Sequence, residues 1–305
     1  MYPTISHILE DLTGVYFPLP FPTFGCFVAL SFWISSYFLK LELKRKEREG
    51  LLDFFMDKKG NLVHPHEITG NILAIAAIAG IIGARFFSIL EYPEEFINAP
   101  IETLFSFSGL TFYGGLIFGC VAVIIYTIKR GITTIHLLDA SAPALMLAYA
   151  VGRIGCQLAG DGDWGIDNLD PKPEWMSFLP DWMWAFSYPG NVLMKGVPFA
   201  TNDIYCYVLE NPVFPTPFYE TIMCSVLFFF LWAIRKKIHT AGLLFSIYLM
   251  LNGVERFLIE KIRVDVEYHI FNIHFKQATL IAIILFICGL LFAGYSLRQK
   301  QHSEV

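Results

Sequence analysis

Charge is scarce in this chain. Asp, Glu, Lys and Arg make up only 16% of its 305 residues, where a soluble domain carries about 25%. Hydrophobic residues reach 55% and mean hydropathy is +0.53, which excludes an ordinary soluble domain and leaves an integral membrane protein. Metal-type cysteine spacing is also lacking. The six cysteines form no CxxC or Cys/His pattern, so neither a zinc site nor a disulfide framework is supported. Cys26, Cys120, Cys156, Cys224 and Cys288 fall in or beside apolar segments and read as small buried apolar residues. No cleavable leader is expected either, since the first twenty residues show no basic stretch followed by an apolar core. The first apolar helix is therefore expected to stay in the membrane as a signal anchor. No internal repeat is visible, and the loops are too unequal for an inverted-repeat transporter.

What is present is a set of seven apolar segments long enough to span a bilayer, near 23–40, 70–90, 112–128, 138–160, 218–234, 242–260 and 277–296. The fourth is the least apolar. Lys and Arg are unevenly shared between the loops that join them. One set of loops (40–59, 129–137, 235–241 and the C-terminal tail) holds fourteen, and the other holds five. By the positive-inside rule the N-terminus is outside and the C-terminus is cytoplasmic. The net charge of −5 decides little beside that asymmetry.

The remaining three of the 22 basic residues lie inside apolar segments: Arg85, Arg153 and Arg256. An arginine in bilayer hydrocarbon costs roughly 2.5–3.5 kcal/mol on insertion scales, so it points at a partner, a cavity or the interface. All three sit near the outer ends of their segments under this topology. One alone could simply snorkel to the headgroups. Three at one depth imply a shared polar chamber open to the outer leaflet, suited to an anionic ligand such as phosphate. The expected fold is thus an all-α integral membrane protein: seven transmembrane helices around a central polar cavity. We read 1–305 as a single membrane domain, with 161–217 inserted as an extracytoplasmic cap. Trp164, Trp175, Trp182 and Trp184 in the cap are candidates for an interfacial aromatic belt. The charged connector 40–69 reads as a solvated loop that could also meet anionic lipid heads.

Four stretches carry candidate chemistry. The first runs from Gly152 to Gly165, where Arg153 leads into a turn rich in glycine and aspartate (Asp161, Asp163). Glycines let backbone approach a ligand, although a helix end capped by Gly160 explains the same residues. The second is Asn252 to Arg263. Arg256 and Glu260 are four apart, share a helix face and can pair, as a site or as a structural salt bridge. The third is Phe112-Tyr113-Gly114-Gly115, a double glycine for tight helix packing or for an acyl chain, with a phenol beside it. The fourth is Pro215 to Glu220, where a carboxylate near a helix N-terminus is favoured by the dipole alone.

FYGGLI, GRIGCQLAGDGDWG, PTPFYE and NGVERFLIE occur in this order together with GAR at 83–85, PTFG before the first helix and Gln277 opening the last. In that order and spacing the chain resembles the bacterial prolipoprotein diacylglyceryl transferase family over nearly its whole length. The resemblance implies transfer of the diacylglyceryl group of phosphatidylglycerol to the lipobox cysteine thiol of a prolipoprotein signal peptide. A thioether forms and glycerol-1-phosphate leaves. It also implies a multi-pass protein of the bacterial inner membrane whose partners are membrane lipids and signal peptides, with no nucleic acid, no metal and no cofactor. By motif, Arg153 and Arg256 match the essential arginines and Glu260 the glutamate beside the second. Glu220 matches a carboxylate of the family, and Asp161 or Asp163 stands where a glutamate is usual. The catalytic set it implies is Arg153, Arg256, Tyr113, Glu260 and Asp161. Substrate contacts would add Arg85, Gly114, Gly115, Gly165, Glu220, Asp163, Cys156 and Asn252.

The chain departs from the pattern at several positions. Tyr113 and Phe214 stand where many members have histidine, Cys156 where asparagine is usual, and Asn252 and Phe24 where tyrosine is usual. With both histidines gone, a histidine base does not carry over. A phenol of pKa about 10 is a poor base unless arginines depress it. The alternative reading is a non-catalytic paralogue that binds or transports an anionic lipid.

Overall fold

The computed structural model describes every residue except 57–59, 106–108, 110, 200–203, 265–266, 271–272 and 304–305. Helix dominates, as the long apolar runs require: backbone in lipid must satisfy its own hydrogen bonds. In chain order the helices are α1 (Ile5–Thr13), α2 (Thr23–Arg48), α3 (Thr69–Glu91), α4 (Pro93–Asn98), α5 (Pro100–Phe105), α6 (Phe112–Lys129), α7 (Thr134–Ala159), α8 (Thr216–Ile234), α9 (Leu243–Ile259) and α10 (Gln277–Ser303). Three antiparallel two-stranded ribbons join them: β1 (Phe55–Met56) with β2 (Leu62–Val63), β3 (Val197–Pro198) with β4 (Tyr207–Val208), and β5 (Glu267–Ile270) with β6 (Ile273–Lys276).

Every expected apolar segment falls on one of these helices. Five of them, α2, α3, α7, α8 and α10, are long and apolar enough to cross a membrane, and α7 has the lowest mean hydropathy of the five, at 1.3. The chain is therefore a mostly helical, multi-pass membrane protein. Helices α6 and α9 are shorter, with 18 and 17 residues, about 26 Å at 1.5 Å per residue.

The chain divides into two compact units, residues 1–35 with 141–305, and residues 36–140. In the second unit α3 lies along α6. Their glycines set the spacing. Gly83 faces the Gly114 carbonyl and Phe118, Gly114 faces the Gly83 carbonyl and Phe87, and Gly115 faces Gly80. A side chain at any of these would meet the opposite backbone, which is the close approach that small residues permit in membranes.

The connector 40–69 is not wholly a loop, contrary to the expectation from its charge. Helix α2 continues to Arg48 and buries Glu42 and Lys46. Arg45 donates to Glu42 at 2.9 Å and to Glu49 at 2.6 Å, and Lys46 lies 3.6 Å from Asp139. The charges mark the end of the apolar run, but pairs three and four residues apart prolong the helix. Residues 57–59 of the connector lie outside the described residues.

In the first unit α9 pairs with α10 and touches α8. The cap has its own small core of Trp164, Tyr188 and Val213, with Phe186, Leu209 and Met1 packed on it. Trp164 is therefore no belt residue: its ring sits 5.1 Å from that of Tyr188 and is buried. Trp175 is 71% exposed, as a belt position would be, while Trp184 donates to the Asp170 carbonyl at 3.0 Å.

Candidate active site

The site is built in the first unit from four pieces of chain: the end of α7, the turn after it, the start of α8 and the end of α9. Helix α7 presents Tyr149 and Arg153 one turn apart, and the Arg153 guanidinium lies 5.1 Å from the Tyr149 ring centroid. The helix then stops at Gly160 and the chain turns through Gly162, whose φ values of +65° and +97° favour glycine. That turn swings Asp161 and Asp163 back towards Arg153. It is pinned where Thr216 Oγ1 donates to the Asp163 carbonyl at 2.6 Å and where the Ile166 amide donates to the Ile262 carbonyl at 2.9 Å. Gly165 fits against the Ile262 carbonyl and Phe214, with no room for a side chain.

Glu220 is the centre. It is fully buried, in the second turn of α8, and three guanidiniums converge on it. Arg153 Nε lies 3.1 Å away, Arg256 Nη1 3.4 Å and Arg263 Nη1 3.6 Å. The Tyr149 hydroxyl donates to the same carboxylate at 2.9 Å. Asp163 forms a second bridge, with one oxygen on Arg153 and the other on Arg263. The expected pair of Arg256 with Glu260 is present at 3.5 Å, and Lys276 approaches Glu260 at 3.8 Å. Placing carboxylates between the cations is what makes three largely buried guanidiniums, 11–15% exposed, tolerable, because an unpaired buried charge costs several kcal/mol. A helix dipole is therefore too small an account of Glu220.

The two aspartates of the turn are driven apart. Burial pushes the Asp161 carboxyl up, and the Asp163 charge adds to that. Burial also acts upward on Asp163, but Arg153 and Arg263 overcome it and hold that carboxyl below the usual range. The two carboxyls are thus shifted in opposite directions, as in paired groups that divide acid and base roles. Cys156 is buried beside them, its sulfur 3.8 Å from Asp163 Oδ2 and 3.7 Å from Arg153 Nη1.

Of the residues singled out in the sequence, Arg153, Cys156, Asp161, Asp163, Gly165, Glu220, Arg256 and Glu260 come together here, and Asn252 lies on α9 in the same unit. Arg85, Tyr113, Gly114 and Gly115 belong to the other unit. There Arg85 is buried within α3, and both glycines lie in the α3–α6 seam. Three residues of the site are not singled out by the sequence. Arg263 reads there as a loop charge, yet Arg256, Glu260 and Arg263 follow the four-then-three spacing of one helix face. Tyr149 precedes Arg153 by one turn. Glu255 sits in α9 at 1% exposure, and neither of its carboxylate oxygens has a hydrogen-bond partner among the described residues. Its place beside Arg256 inside an apolar segment is the sequence signal for it, because a carboxylate there is as costly as an arginine.

Comparison with known proteins adds a family. The family model described as prolipoprotein diacylglyceryl transferase matches residues 13–295. Among similar proteins, the phosphatidylglycerol–prolipoprotein diacylglyceryl transferase of Leptospira interrogans is 27% identical over 271 residues, covering 80% of this chain and 71% of its own length. The protein of the same name from Symbiobacterium thermophilum is 28% identical over 279 residues, 90% of this chain and 87% of its own. That of Clostridium tetani is 29% identical over 195 residues, 64% of this chain and 68% of its own.

Proposed function

The chain belongs to the prolipoprotein diacylglyceryl transferase family and transfers a diacylglyceryl group from phosphatidylglycerol to a prolipoprotein; we propose that Arg153, Arg256 and Arg263 receive the lipid phosphate and that Asp161 takes the thiol proton. In this reading the cysteine sulfur attacks the sn-3 carbon of the diacylglyceryl group. A carbon–sulfur bond forms as the bond from that carbon to the phosphate oxygen breaks. The electron pair leaves with the phosphate, glycerol-1-phosphate departs, and the thiol proton passes through Asp161 to water.

The observation that carries the proposal is the convergence of three guanidiniums, one from α7 and two from the end of α9 and the residues after it, on Glu220 and Asp163. Charge developing on a leaving phosphate is best met by cations that are already oriented, because no reorganisation is then needed at the moment of reaction. The carboxylates orient them. Arg263 Nη1 is buried with no hydrogen-bond partner among the described residues, which suits a further acceptor such as a phosphate oxygen. A thiol of pKa about 8.5 needs a proton acceptor, and Asp161, raised by burial, is a better one than an ordinary carboxylate. Arg85, Tyr113, Gly114, Gly115, Cys156, Gly165 and Asn252 complete the proposed substrate contacts on motif grounds. Seven spans with an outer N-terminus and cytoplasmic C-terminus in a bacterial inner membrane, and an outer cap at 161–217 on a single membrane domain, complete the topology we propose.

The direct test is mass spectrometry of a lipobox peptide incubated with purified protein and phosphatidylglycerol in detergent. Wild type is expected to add one diacylglyceryl group to the cysteine. Arg153→Ala and Arg256→Ala are each expected to lose about 10²–10³-fold in rate; full activity in both folded variants rejects the site assignment.

A further inference from the structure

Away from the arginine site, in the second unit, two imidazoles close on one carboxylate. Glu47 stands in the last turn of α2, and His64 and His66 follow β2. His64 Nδ1 meets one oxygen of Glu47, and His66 Nδ1 meets the other at 2.8 Å. The two rings are 5.5 Å apart, and the cluster lines an open cleft with Lys44 and Arg48. After β2 the chain turns at Pro65 and His66, closed where the Glu67 amide donates to the His64 carbonyl at 3.0 Å, and Pro65 restricts that turn. The pair is therefore presented together to the end of the helix.

We propose that Glu47, His64 and His66 form a binding site for a divalent first-row transition-metal ion of the zinc class, clipping the connector to the end of α2. The donors are two imidazole nitrogens and one carboxylate oxygen, the mixed set that such ions take, with a fourth position open to water. One ligating atom from each residue lies within 4.8 Å of the others. Donors about 2.0–2.2 Å from an ion sit roughly 3.3 Å from one another in tetrahedral geometry, so the two carboxylate–imidazole contacts must open to admit it. Glu67, which accepts from the His64 amide at 3.2 Å, supplies a second negative charge against Lys44 and Arg48. Each imidazole must give up its Nδ1 proton to bind, so uptake releases protons and weakens in acid.

The test uses the full chain in detergent, without an affinity tag and stripped by chelator. Titration with Co(II), followed by its visible absorption, and competition by Zn(II) are expected to give one ion per chain. Glu47→Gln and His66→Ala are each expected to weaken binding at least tenfold. Diacylglyceryl transfer to a lipobox peptide, kept by both variants, shows that they remain folded. A double variant, His64→Ala with His66→Ala, sets the background from other surface groups. Equal metal retention by wild type and this double variant overturns the proposal, and so does a site that takes up inorganic phosphate but no metal.

Discussion

Two charge clusters of this protein use the same residue types to opposite ends. At the end of α2, Arg45 is held by Glu42 on its own helix and by Glu49 just past the helix end, three and four residues away. At the active site, Arg256 reaches Glu220 across 36 residues and Arg263 reaches Asp163 across 100. The first cluster is local. It prolongs a helix past its apolar run, and its far partner Glu49 is exposed. The second is long-range. It draws α7, α8, α9 and the cap turn onto one buried carboxylate, and it holds three cations where an anion could replace part of their counter-charge. Pairing within a helix stabilises an element, whereas pairing between segments creates a place.

The sharpest way to break the contrast is to remove the buried central acid from one cluster and the exposed outer acid from the other. Glu220→Ala leaves buried guanidiniums uncompensated, and we expect a loss of about 3–5 kcal/mol, read as a large fall in Tm in detergent and in recovery of folded protein. Asp161→Asn keeps the shape of the site but removes the proposed acceptor, and a rate loss of about 10²-fold is expected. The pH profile sharpens this. The Asp161 carboxyl is raised, so wild-type transfer should fall on acidification at a pH above 3.8. The Asp163 carboxyl is depressed, so the stability it contributes is fully present above 3.8 and is lost only as pH falls through its lower folded value. An acid limb of rate that coincides with unfolding would remove Asp161 from the mechanism. The smallest effect is expected for Glu49→Ala, which removes only the exposed arm of the Arg45 cluster and leaves the buried Glu42 paired. Exposed helix pairs contribute about 0.3–0.5 kcal/mol, so Tm should shift slightly and transfer by less than about twofold. A loss at Glu49 as large as that at Glu220 would erase the distinction between the two clusters.

Much of this is legible in the amino-acid sequence. The apolar runs place the spanning helices because hydrocarbon leaves backbone no other solution. Arg153 and Arg256 stand out because arginine is costly in such runs, and the four-residue spacing announces the pair with Glu260. Arg263 is hidden by lying just past the apolar segment, where a charge needs no explanation. Glu220 looks sufficiently explained by a helix N-terminus, and Trp164 by the membrane interface. Glu47, His64 and His66 carry no recognised spacing, since one ligand comes from a helix and two from the connector.

The sequence by itself determined the class of protein, its membrane helices, its family and most of the residues that carry charge into the apolar region. Periodicity, hydropathy and ordered motifs are local properties and need no fold to be read. Only the tertiary structure decided which charges meet. It made Glu220 the hub, divided Asp161 from Asp163, recruited Arg263 and Tyr149, and assembled the histidine cluster, because distances between segments follow from packing and not from spacing along the chain.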